Sequence, residues 1–179
     1  MATYNYQYIM EYLPKRYTAT TKQECDRQVI YDFKNGYCNL SLMNNIVEHI
    51  KDIKNQMGGN NWRVCFIPAS THLKTARRYQ KLAAFIEKNT GIACDFHTIM
   101  PLIDQESGHI AGKKANPAAD FNVKRADVEG KNIILIDYII TRGITFMGTM
   151  NKLMANGANM VIGLFLAKTI NPDWVRYSA

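Results

Sequence analysis

Apolar residues recur along this chain with two distinct periods. From Leu40, the positions Leu40, Met43, Ile46, Val47, Ile50 and Ile53 follow helical spacing, with Asn39 or Ser41 as the cap. A second stripe, Tyr79, Leu82, Ala83 and Ile86, predicts a helix from Leu73 to Asn89 that Thr90-Gly91 ends. Between the two, Gly58-Gly59-Asn60-Asn61 is a turn signal. Arg63 to Ile67 then reads as a short strand closed by Pro68, and Ile92 to Phe96 as another.

The strongest strand signal is Ile133 to Asp137, where four consecutive branched apolar residues require cover on both faces. Thr145 to Asn156 reads as a helix with Met147, Met150, Leu153 and Met154 on one side and Asn156-Gly157 as its C-cap. Met160 to Ala167 is a further buried strand. Strand, helix and strand in succession make a βαβ unit, so the class is α/β, a parallel sheet flanked by helices. Residues 1–35 are tyrosine-rich, with Tyr4, Tyr6 and Tyr8 alternating and Pro14 breaking any helix through it, and are expected to form an N-terminal cap. The main domain then covers residues 36–179. DQESGHIAGKKANPAAD, residues 104–120, reads as a long loop of the kind that usually serves function.

Composition adds limits. The chain of 179 residues, 47% apolar and 21% charged, suits one globular domain. A net charge of +7 suits anionic partners, from phosphate-rich metabolites to nucleic acid, although such an excess is often just a solvated face. Cys25, Cys38, Cys65 and Cys94 form no CxxC pair, and His49, His72, His97 and His109 lack metal-ligand spacing. No segment reaches the roughly 18 apolar residues of a membrane span, and Met1 to Tyr17 lacks the pattern of a signal peptide. The expectation is a reduced, cytoplasmic setting.

The stretch NIILIDYIITRGITF, Asn132 to Phe146, carries the chemistry. In open parallel sheets, ligands bind beyond the carboxyl ends of strands, beside the N-termini of the following helices. Asp137 stands at such an end. Thr141 to Thr145 form the turn into the next helix, where free amides and the helix dipole favour an anion. Gly143 permits close approach, the two threonines offer hydroxyls and Arg142 adds a cation, which can equally face solvent. The pattern is that of a carboxylate for sugar hydroxyls beside a loop for a monophosphate.

ILIDYIITRGIT resembles the phosphoribosyl-diphosphate (PRPP) binding motif of type I phosphoribosyltransferases, and the chain is similar to their ComF-like, competence-associated branch. Phe33-Lys34-Asn35-Gly36 resembles that family's "lysine, any residue, glycine" element. Phe66-Ile67-Pro68-Ala69-Ser70 resembles the strand entering the pyrophosphate loop, and Arg77-Arg78-Tyr79-Gln80 the basic, aromatic and amide residues that follow. Lys113, Asn116, Phe121 and Val123 match a spaced pattern ahead of the PRPP strand. The similarity covers residues 30–170; the zinc-binding cysteine pairs of many relatives are missing.

The resemblance implies a single-domain phosphoribosyltransferase-like fold with a five-stranded parallel core, binding PRPP or ribose 5-phosphate with Mg2+ that the protein does not ligate directly. It implies transfer of phosphoribosyl to an unidentified nitrogenous acceptor, with pyrophosphate released and, in many relatives, a homodimer. Asp137 would be the catalytic residue, holding ribose hydroxyls, and Thr141, Arg142, Gly143, Ile144 and Thr145 would cradle the 5′-phosphate. Ala69, Ser70 and Thr71 would lie against pyrophosphate, with Lys74 and Arg77 as helpers. The loop with His109, Lys113 and Lys114 would be a lid, and Trp174 either a hood over the base or a packed C-terminal side chain. Otherwise Ser70 and Thr71 are turn-forming hydroxyls, and Arg77, Arg78 and Lys81 a solvated helix face.

Tyr138 departs from the pattern by standing where the family has its second acid. A phenol is neutral at pH 7 and cannot replace a carboxylate. Loss of one charge-assisted hydrogen bond costs on the order of 1.5–3 kcal/mol of binding. Two readings follow: an enzyme with altered affinity, or a non-catalytic binding protein serving DNA uptake or nucleotide sensing.

Overall fold

The computed structural model describes residues 5–104 and 117–172. Its elements are β1 (Tyr6–Tyr12), α1 (Thr21–Lys34), α2 (Leu40–Met57), β2 (Trp62–Phe66), α3 (His72–Thr90), β3 (Ala93–Cys94), β4 (Ile99–Pro101), β5 (Phe121–Val123), α4 (Arg125–Val128), β6 (Asn132–Ile140), α5 (Ile144–Ala155) and β7 (Met160–Thr169). Five strands form one parallel sheet in the order β1-β7-β6-β2-β3, while β4 and β5 pair antiparallel. The expected parallel sheet flanked by helices is what the chain forms.

The centre of that sheet shows why β6 is so apolar. Ile134 and Ile136 enter one core with α1, α2 and α3, while Ile133 and Leu135 enter a second core with α5, β4 and β5. All four are fully buried, because alternate side chains of a central strand meet a covering layer on each face. Asn39 is the cap of α2, its Oδ1 accepting from Leu42 N–H at 2.8 Å, and Leu40, expected on the buried stripe, is exposed in the first turn. In α3 the expected stripe is buried, and Gly91 closes the helix at φ 68°.

Two expectations are corrected. Residues 6–34 do not cap the sheet: β1 adds its edge strand, pairing from Tyr6 with Gly163 to Tyr12 with Thr169. The tyrosine alternation was the strand signal, and α1 follows behind a Thr20–Gln23 capping box. In α5 the buried face is Phe146, Thr149 and Leu153 rather than the methionines, and Met154 is exposed. Phe146 sets that face because its ring meets Phe165 edge-on at 5.2 Å over the space Gly163 leaves. The segment 104–120 is closed at its base by β4 and β5, where Leu102 N–H donates to Asp120 O. His109, Lys113, Lys114 and Trp174 lie outside the described residues.

Candidate functional site at the carboxyl edge of the sheet

Strand order fixes where a ligand can enter. From β2 the chain crosses through α3 to β3 on one side, and from β6 through α5 to β7 on the other. The helices of the two crossovers lie on opposite faces, α3 in the first core and α5 in the second. The adjacent strands β2 and β6 therefore flank a topological switch point, and open parallel sheets bind ligands outside the carboxyl ends of the strands at such a point. Those turns are Ile67 to Thr71 and Thr141 to Gly143, the two segments singled out from the sequence.

The turn after β6 leaves a helix start open. Gly143 adopts the left-handed conformation, φ 73° and ψ 5°, and its carbonyl accepts from Met147 N–H. Side chains of Thr20, Asn39 and Thr71 cap α1, α2 and α3, whereas no side chain caps α5 among the described residues. The amides of Ile144, Thr145 and Phe146 are the donors this leaves. Thr141 shares a hydrogen bond with Thr169 at 2.8 Å, and the Thr145 carbonyl accepts from Thr149. Arg142 is exposed.

The turn after β2 is more occupied. Ala69 is buried and its amide donates to Thr75 Oγ1 at 3.0 Å, so that amide is already used. Thr71 is the N-cap of α3, accepting from Lys74 N–H at 3.1 Å. Ser70 is exposed, with Lys74 Nζ at 3.5 Å from its hydroxyl. Asp104 reaches this turn from beyond β4, accepting from His72 N–H at 2.8 Å and pairing with the His72 ring. Its carboxyl is held below the usual range, first by the bond from the His72 ring.

Asp137 lies inside rather than at the mouth. It is 9% exposed; Oδ1 accepts from Tyr138 N–H at 2.7 Å and from the Tyr79 hydroxyl at 3.3 Å. Burial pushes its carboxyl up to about 6, against the opposing pull of the Tyr138 amide, Arg78 and Tyr79. Burial, and then the Asp137 charge, raise Tyr79 well above its ordinary value and raise Tyr138 too. No ion pair engages Asp137 among the described residues.

The two neighbouring arginines of α3 point different ways. Arg77 is exposed, and its backbone carbonyl stands 2.6 Å from where a Cβ on Gly36 would sit. Arg78, expected on a solvated face, is buried: Nε donates to Lys34 O at 3.2 Å, and the guanidinium lies over Tyr79 and Tyr138. The signal was available, since Thr75, Arg78, Tyr79 and Leu82 share one helical face. The Lys34-Asn35-Gly36 element thus docks against α3, where only a glycine permits the approach.

Asp137 offers magnesium a single carboxylate, and the other ligands of a bound ion would be water and the ligand's own oxygens. Asp137 does not finish β6 as expected, because the strand pairs with β7 on to Ile140; the carboxylate is buried, its Oδ1 has two donors, and the Arg78 charge acts on it. Tyr138 beside it offers only a neutral phenol.

No family model matches the chain, and no curated protein matches it. Among solved structures, it is similar to the allosteric regulatory enzyme of purine biosynthesis, at 16% identity and TM-score 0.46, over 76% of this chain and 30% of that one. It is also similar to adenine phosphoribosyltransferase from Saccharomyces cerevisiae, at 16% identity and TM-score 0.42, over 73% of this chain and 70% of the other. Hypoxanthine phosphoribosyltransferase from Trypanosoma cruzi is 12% identical, with TM-score 0.43, over 80% of this chain and 68% of the other. The chain spans less than a third of the first of these proteins. Likenesses this distant leave function to the residues themselves.

Proposed function

We propose that this chain binds a ribose 5-phosphate group, carried by PRPP or a product of it, in the crevice between the ends of β2 and β6. The observation that carries the reading is the pairing of Asp137 with an uncapped α5 start at a topological switch point. The amides of Ile144, Thr145 and Phe146 and the helix dipole receive the phosphate. Gly143 lets the backbone approach it. Asp137, mostly ionised at pH 7, accepts from sugar hydroxyls once the ligand displaces the Tyr79 contact. Ser70 and Lys74 flank the pyrophosphate side, and the sequence resemblance to phosphoribosyltransferases supports transfer to a nitrogenous acceptor.

A binding protein without turnover is the second reading. Tyr138 favours it, because its ring is covered by Arg78 where an acid would serve an oxocarbenium-like transition state. Calorimetric titration with PRPP tests the shared premise: saturable heat supports it, and no heat with a folded sample ends it. Pyrophosphate release in the presence of candidate bases then separates the two readings.

A further inference from the structure

Three exposed cations pair with an acid one helical turn away: Lys22 meets Asp26 at 2.6 Å, Lys51 meets Glu48 at 2.9 Å and Arg125 meets Glu129 at 2.7 Å. In α3 the cations have no such partner. Before Glu87 the helix carries Lys74, Arg77, Arg78 and Lys81 and no acid. Arg78 turns inward, while Lys74, Arg77 and Lys81 are exposed and share one face at spacings of three and four residues. None of these three forms an ion pair among the described residues. Lys74 also stands in the first turn, where the positive end of the helix dipole opposes a cation.

The end of α1 widens this face. Lys34 is exposed, and its carbonyl accepts from Arg78 Nε at 3.2 Å. A Cβ on Gly36 would sit 2.6 Å from Arg77 O, so the chain after Lys34 runs beside α3. Burial pushes the Cys38 thiol up to about 12 against the pull of Lys81, which puts that amine close by. Tyr37 lies between these contacts and is 64% exposed. The bordering acids have other partners: Asp32 accepts from Gln28 at 2.7 Å, and Asp104 from His72.

We propose that this surface of α3 and the end of α1 binds single-stranded nucleic acid, its cations tracking the phosphates and the Tyr37 ring stacking on a base. Lys74 to Lys81 spans about 10 Å along the helix, length enough for more than one phosphate. An ordinary solvated face intersperses both signs of charge. An anionic membrane would need a continuous apolar face beside the cations, and the exposed positions of α3 between Leu73 and Lys81 are Lys74, Arg77 and Gln80. The inference stands apart from the ribose 5-phosphate reading and does not depend on it.

Fluorescence anisotropy of a labelled single-stranded oligonucleotide, titrated with the full chain at low and high salt, tests this. The parent is expected to bind, more weakly at high salt, and to prefer the strand to a duplex of the same sequence. Arg77→Gln combined with Lys81→Gln is expected to bind about tenfold or more weakly and to lower the salt slope by roughly 1 to 1.5. Tyr37→Ala is expected to lose about tenfold in affinity with the salt slope unchanged, a split that a folding defect would not produce. Lys81→Gln alone keeps the test open if the double variant does not fold. Absence of binding by the parent, binding indifferent to salt, equal binding of duplex, or undiminished binding by either folded variant overturns the proposal. Tighter binding to phosphatidylserine vesicles than to the strand overturns it too, in favour of a membrane contact.

Discussion

The Arg78 guanidinium sits above the Tyr138 ring, 4.9 Å from its centroid, while the Tyr138 amide donates to Asp137 Oδ1 at 2.7 Å. An aspartate at position 138 would pair with Arg78 instead. Tyr138→Asp adds a carboxylate beside Asp137 and is expected to make PRPP binding strengthen more with magnesium than it does in the parent. Titration with and without EDTA checks it. Pyrophosphate release gained by the variant marks the parent as a binder without turnover, and release lost marks Tyr138 as part of a working site.

The Asp137 carboxyl has its folded value raised to about 6 from an ordinary 3.8. Between these values the folded chain keeps a proton that the unfolded chain has lost, so Asp137 lowers stability as pH rises through that window. Asp137→Asn keeps an acceptor for Tyr138 N–H and the Tyr79 hydroxyl but carries no charge. It is expected to be more stable than the parent above pH 6, with no gain below pH 3.8. The gain should be about 1–3 kcal/mol by urea unfolding. Binding of ribose 5-phosphate should fall in the same variant, because stability and function oppose each other at this residue.

Thr145 opens α5, and its hydroxyl has no partner among the described residues, whereas its carbonyl accepts from Thr149. Thr145→Val keeps the shape and removes the hydroxyl. Its thermal midpoint should match the parent, while affinity for ribose 5-phosphate should drop about tenfold. A drop in midpoint without loss of affinity would show that the hydroxyl serves the fold instead.

Gly36 has φ 93°, and a Cβ there would sit 2.6 Å from Arg77 O and 2.7 Å from Arg77 Cγ. Gly36→Ala should cost about 2–3 kcal/mol. It should also weaken ligand binding, since a shift of α3 moves Arg78. Denaturant unfolding and the same titration read the two effects separately.

Arg27 ties the chain between β1 and α1, donating to Leu13 O at 2.7 Å, Pro14 O at 2.7 Å and Tyr17 O at 2.8 Å. Arg27→Met leaves those acceptors unmatched and should cost about 2–4 kcal/mol. Hydrogen exchange should quicken first in residues 13–17, before the sheet opens.

Local pattern determined a good deal of this protein. Period and punctuation along the chain marked α2, α3, β2, β6, α5 and β7, because a residue's burial within one element repeats with that element's geometry. The turn chemistry of Thr141 to Thr145 marked the open helix start for the same reason: it is made of consecutive residues. Tertiary structure decided the rest. β1 is a strand because β7 offers it an edge, and nothing within residues 6–12 states which partner they meet. Arg78 turns inward and Arg77 outward because Lys34, two tyrosine rings and Gly36 occupy the space around them. Asp137 is a buried acceptor rather than a free one because Tyr79 reaches it across 58 residues of chain. Contacts between distant segments depend on which faces the packing brings together, and a one-dimensional period records that a face is buried but not what lies against it.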